Sequence, residues 1–150
     1  MAKIFRGANS QAFAAMTTEG FEFSRQLAHE QGMDLGLVLL GEKEDNPPAA
    51  IVLALPPGAV LPRHSHNTQR MEVLIKGSII TPDGEELLPG DASRSGPGEC
   101  YGPLTAGPEG CLTLEIFANM SGLAPQGDEA GENAETVAHI ASLTEANTAS

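Results

Sequence analysis

The chain has no tryptophan, one tyrosine, and only eight Lys and Arg against twenty Asp and Glu. The resulting formal net charge of −12 excludes a protein whose affinity comes from neutralising phosphates, because such binding needs clustered Lys and Arg. All the basic residues lie at or before Arg94, so everything after it is acidic or neutral. No apolar run approaches the roughly eighteen residues of a membrane-spanning helix. The opening Met1 to Arg6 is not followed by an apolar core, so no secretory signal is expected and the chain reads as cytoplasmic. Two cysteines, Cys100 and Cys111, are too few for a disulfide framework and read as reduced, partly buried thiols. A phosphate-binding loop, a Gly-x-Ser-x-Gly elbow, a Cys-x-x-Cys pair and a His-Glu-x-x-His helix are all missing.

What is present is a turn-rich chain of one-domain length, 150 residues with 17 Gly and 11 Pro. Short apolar or alternating runs bounded by turn formers predict strands at Phe21–Leu27, Leu35–Leu40, Ala50–Leu55, Met71–Ile80, Glu85–Leu88 and Cys111–Phe117. Close spacing of such strands implies an all-β, antiparallel sandwich or barrel. Three segments are expected: an N-terminal extension over 1–19 with a helical turn or two at 9–16, a β-barrel over 20–120, and an acidic tail over 121–150. In the tail Ala134, Val137, Ala138 and Ala141 fall at helical spacing, so a short docked helix and a disordered stretch are both open readings.

His64 and His66 are the informative pair. Two residues apart on a strand, both imidazoles point to one face, a beginning for a site that could hold Fe, Mn, Ni, Cu or Zn. The plain alternative is a pair of surface histidines in a loop after Pro62.

Context separates the two. Gly58, His64, His66 and Gly77 stand at the spacing of the first cupin motif, and Gly90 and Gly98 match the second, so the stretch of roughly residues 35–118 resembles the cupin family. The resemblance implies a jelly-roll-like β-barrel, a divalent transition metal inside it, a small-molecule ligand or substrate, and a homodimer. Two positions depart from the family pattern. Arg70 stands where the family usually has its metal-binding Glu, and Tyr101 where it places its third His; a guanidinium cannot ligate a metal. Glu72, on the same strand face as position 70, and Gln69, one residue earlier, are the candidate substitute ligands beside His64 and His66. Tyr101 could ligate as tyrosinate, act as an acid–base group, or line the pocket with a hydrogen-bonded hydroxyl. Arg70 could neutralise Glu72 or offer a fork to an anionic substrate. With two His and one carboxylate the site would suit non-haem iron and oxygen, so a dioxygenase is the first functional expectation. A metal-dependent isomerase or lyase, and a non-catalytic binding or sensing barrel, are the alternatives.

Overall fold

The computed structural model describes residues 29, 30 and 32–127. The expected N-terminal helix, the strand at 21–27 and the helix at 134–141 lie outside these residues. The described chain forms β1 (Asp34–Leu39), β2 (Ala49–Leu55), β3 (Val60–Leu61), β4 (His64–His66), β5 (Arg70–Ile80), β6 (Glu86–Leu87), β7 (Ala92–Ser95), β8 (Leu104–Phe117) and β9 (Pro125–Gly127). Seven strands make one sheet in the order β1-β2-β8-β5-β6, with β3 on β8 and β7 on β5, while β4 and β9 pair separately. Every pairing is antiparallel, as the alternating sequence runs require.

Pleat parity sorts the side chains. On β8 the residues Cys111, Thr113, Glu115 and Phe117 face inward, on β5 Arg70, Glu72 and Leu74, and on β2 Ala49, Leu53 and Leu55. The register sets Arg70 opposite Phe117, Glu72 opposite Glu115 and Leu74 opposite Thr113. Two apolar clusters result. One gathers Leu53, Leu55, Leu74, Ile79, Leu104 and Cys111, and the other gathers Leu37, Ala49, Phe117, Met120 and Leu123. Half-buried Ile51 packs against both, and the polar band of Arg70, Glu72, Thr113 and Glu115 lies on the wall between them.

The strands differ from expectation in several places, the short β3 and β9 among them. β8 begins at Leu104, well before Cys111, because Gly107, Pro108 and Gly110 interrupt its pattern without ending its pairing to β5. β7, Ala-Ser-Arg-Ser, has three exposed residues and no apolar residue beyond Ala92; only Ser95 is buried. Regular structure also continues past residue 120. A short turn at Met120–Gly122 buries Met120 and Gly122, Leu123 is buried in the cluster around Phe117, and β9 pairs with β4. The apolar content of Leu123-Ala124-Pro125 is enough to anchor this strap despite the Gly- and Asn-rich sequence around it.

Gly77 shows how tightly the β5–β8 contact is made. It sits at φ +80 beside a register shift, and a Cβ there would lie 2.0 Å from the Gly110 carbonyl oxygen. Gly84, in the turn between β5 and β6, has a similar φ of +85 but nothing within 4 Å. Gly84→Ala therefore should lose only backbone strain, about 1–2 kcal/mol. Gly77→Ala adds a backbone clash and should lose clearly more in urea unfolding. Equal losses would show that the close approach at Gly77 contributes nothing.

Candidate functional site

Pro62 ends β3 and its carbonyl takes a hydrogen bond from His64 Nδ1–H at 2.6 Å. His66 Nδ1–H donates to the carbonyl of Gly122, on the returning strap, at 3.0 Å. With both Nδ1 atoms protonated, each ring keeps its lone pair on Nε2. Both lone pairs converge on the same atom: Tyr101 Oη lies 2.7 Å from His64 Nε2 and 3.1 Å from His66 Nε2. A phenol has one proton to donate. It satisfies the nearer His64, which leaves the His66 lone pair facing an oxygen without a proton between them. Tyr101 is placed there by a backbone bridge to His64, with reciprocal N–H···O bonds of 3.1 and 2.9 Å. His66 is further fixed edge-on against Phe117 of β8, 4.8 Å between ring centres, so β4 lies over the inner face of the large sheet.

Burial governs the charge state of these rings. It lowers the pKa of His64, with Arg70 adding to the effect against the Pro62 hydrogen bond. For His66, burial and then the neighbouring His64 push the value down to about 3. Both shifts favour the neutral imidazole, the form that keeps a lone pair on Nε2. The Tyr101 hydroxyl is moved the other way, upward, by burial and then by Glu115, so it holds its proton.

Arg70 lies beneath the tyrosine, its guanidinium carbon 4.0 Å from the ring centre. Its Nε–H donates to Glu115 Oε2 at 3.0 Å, and its Nη2 lies 3.1 Å from Glu72 Oε1. All three residues are buried, Arg70 at 3% exposure. Burial works against the guanidinium's charge, but Glu115, then Tyr101 and Glu72, outweigh it and hold the pKa above its ordinary value. Glu72 carries the strain of two carboxyls sharing one cation. Burial and the adjacent Glu115 raise it to about 7, with Arg70 opposing.

The placements can be set against the expectations. His64, His66 and Tyr101 come together. Arg70 pairs with Glu72, the neutralising alternative of the two left open for it. Glu72, expected as a ligand, faces Arg70 and Glu115, and among the described residues no three His, Cys, Asp or Glu side chains gather as a metal-holding group. Gln69 is exposed beside Gly96. Cys100 and Cys111 are both free thiols, and burial raises Cys111 to about 11. Glu115 and Thr113 were not anticipated. Polar residues at alternate positions of a strand ordinarily mark its solvent face, whereas here they mark the interior.

No protein-family model and no curated protein matches the chain. Among solved structures it is similar to an RmlC-like cupin protein from Ralstonia eutropha, at 16% identity over 58% of this chain and 56% of that one, TM-score 0.46. It is similar to KdgF from a Halomonas species at 17% identity, over 59% and 81% of the two chains, TM-score 0.49. Oxalate decarboxylase from Bacillus subtilis matches at 22% identity, over 58% of this chain and 25% of its own, TM-score 0.46. The match therefore spans little more than half of the first of these and a quarter of the last. The described residues themselves form an all-β, antiparallel structure. No helix among them is long and apolar enough to cross a membrane.

Two measurements test the polar wall. Because Glu72 is raised to about 7 from 4.5, its contribution to stability is fully present below about pH 4.5 and lost as pH rises through 7. His66, lowered from 6.5 to about 3, acts oppositely: its contribution is present above pH 6.5 and lost as pH falls through 3. The difference in unfolding free energy between wild type and Glu72→Gln isolates the first effect and should move against the wild type from pH 4.5 to 7; parallel curves would show an ordinary glutamate. Separately, Arg70→Met should cost about 3–5 kcal/mol by leaving a buried carboxylate uncompensated. Adding Glu115→Gln should restore part of that loss, whereas simple additivity would show that the two are uncoupled.

Proposed function

We propose that this protein is a small cupin that holds a divalent transition metal on His64 Nε2 and His66 Nε2 and uses it on a small organic molecule inside the barrel. The observation that carries this reading is the convergence of two neutral, carbonyl-anchored imidazoles on one point occupied by the Tyr101 hydroxyl. An Nδ1–H fixed on a carbonyl is the usual support of a metal-ligating histidine, since it sets both tautomer and ring direction. The donor set fits such an ion: two imidazole nitrogens suit Fe, Mn, Ni or Zn, and the protonated Tyr101 hydroxyl stands beside them as a hydrogen-bond donor. When bound, the metal would polarise a carbonyl or carboxylate oxygen of the substrate.

The residues around it have separable tasks. Tyr101, which keeps its proton, donates a hydrogen bond to whatever lies against the imidazoles. Arg70 holds the phenol ring from below and is itself held by Glu115. Because the Glu72 carboxylate faces Arg70 instead of the imidazoles, the two-His, one-carboxylate set that suits iron and oxygen is not assembled. Isomerase or lyase chemistry is therefore favoured over the dioxygenase reading. A second reading, a barrel that binds without turnover, is favoured by one specific fact: the guanidinium at the family's usual carboxylate position is already neutralised in place. The chain is further proposed to be a cytoplasmic homodimer. Half-buried or exposed Val52, Met71, Val73, Leu114 and Ile116 on the outward parity of the large sheet support a partner there.

The test is metal content after purification without chelator or nickel resin. Near-stoichiometric Fe, Mn, Ni or Zn is expected in wild type, and its loss in the His64→Ala, His66→Ala double variant with an unchanged circular dichroism spectrum. Full metal retention in that variant would place the metal elsewhere, and a wild type that binds none of the four at micromolar concentration would leave the non-catalytic reading.

A further inference from the structure

The two imidazoles and Tyr101 are one proton short of full pairing. His64 and His66 direct their Nδ1–H groups to the carbonyls of Pro62 and Gly122, so each ring has only its Nε2 lone pair left to satisfy. Both lone pairs meet the Tyr101 hydroxyl, at 2.7 and 3.1 Å, and a phenol carries a single proton. Two acceptors share one donor, where nearly every buried polar group has a partner of its own.

A divalent transition ion would use the same two lone pairs. Held by an imidazole, it stands about 2.0–2.1 Å from the nitrogen. That is closer than the 2.7 Å at which the phenol oxygen already engages His64 Nε2. A lone pair that accepts a hydroxyl proton cannot also bind a cation, so ion and hydroxyl exclude one another at His64. The room the ion needs is the hydroxyl's own. The exchange also removes the imbalance, because one cation satisfies both nitrogens whereas one proton satisfies one. Neither His64 nor Tyr101 is closed off, since both are half-buried; His66 lies deeper.

The Tyr101 backbone is pinned to His64 by their reciprocal bridge, so withdrawing the hydroxyl falls on side-chain torsions alone. The ring rests on the Arg70 guanidinium at 4.0 Å and leans on His64, 4.5 Å between centres. Contacts of this kind act on the ring and leave the hydroxyl's position to its two nitrogen partners. We propose that Tyr101 is a displaceable cap on the metal position: its hydroxyl holds the lone pair of His64 Nε2, and crowds that of His66, until a divalent ion takes both. The cap lowers the apparent metal affinity by the fraction of molecules it leaves open. This deepens the proposed function by assigning how its metal position is regulated, and it rests on the His64 and His66 reading.

The test uses a feature of the composition. Tyr101 is the single tyrosine and there is no tryptophan, so tyrosine emission reports this side chain alone. The full chain, treated with EDTA and dialysed, is titrated with zinc, which has no redox chemistry of its own, against a competing chromophoric chelator that reads the affinity. Wild-type emission should change saturably, with the midpoint the chelator gives. Tyr101→Phe, which removes only the hydroxyl, should bind zinc about fivefold more tightly, the worth of one net hydrogen bond. Zinc binding by Tyr101→Phe with none by wild type would support the cap in its strongest form. Equal or weaker binding by Tyr101→Phe, or a tyrosinate absorption band appearing with zinc, overturns the cap and leaves the metal on the histidines. If Tyr101→Phe does not fold, the wild-type titration decides: zinc bound without an emission change overturns the cap. Absence of zinc binding in both proteins, or full retention by the His64→Ala, His66→Ala double variant, overturns the metal reading and the cap together.

Discussion

A guanidinium enclosed by protein must be matched in charge and in hydrogen bonds, and the arrangement of the site follows from meeting that demand at Arg70. The β5–β8 register places Glu72 and Glu115 across from one another, and Arg70 engages both. Its flat face then supports the ring of Tyr101, and the tyrosine hydroxyl stands between the two imidazoles. Desolvation that would be prohibitive for an isolated charge is offset because opposite charges are fixed within hydrogen-bond distance before any ligand enters. The same buried charge adds to the burial that lowers the pKa of both histidines.

The site draws on segments far apart in sequence. The carbonyls that fix the two imidazoles come from Pro62, just before β4, and Gly122, after β8 has ended. A Cβ on Gly122 would fall 2.2 Å from the Thr68 methyl, so the strap reaches its position only because that residue has no side chain. The strap thus fixes the His66 ring: it contributes apolar cover through Leu123 and polar direction through Gly122. Its pairing with β4 also restrains the histidine strand, which at three residues could not hold a conformation by itself.

Much of the fold was legible because strands announce themselves through periodicity and turn residues. The cores of β1, β2, β5 and β8, the shared facing of His64 and His66, and the pairing of Arg70 with Glu72 all follow from parity and charge. Parity does not say which side of a sheet is the interior, and that is why Thr113 and Glu115 escaped notice. Local signals also failed where pairing was sustained by neighbours: β7 has no apolar residue beyond Ala92, and the first half of β8 contains Gly and Pro that normally end strands. Gln69 stands one residue before Arg70, in a turn where parity does not fix facing, and its side chain lies at the surface.

The polar band between the two apolar clusters has a consequence for how such a protein can change over generations. A core made only of aliphatic side chains drifts in small steps, since Leu, Ile and Met replace one another at little cost. A wall of interlocked charges has no such neighbours in sequence space. Losing Arg70 strands two carboxyls and losing Glu115 removes the guanidinium's main partner, so variation at those positions comes most readily in coordinated sets. An apolar replacement of the whole set could be as stable as the original. Ancestry can therefore shed the surplus carboxyl alone, but can erase the Arg70–Glu115 pair only in one concerted move.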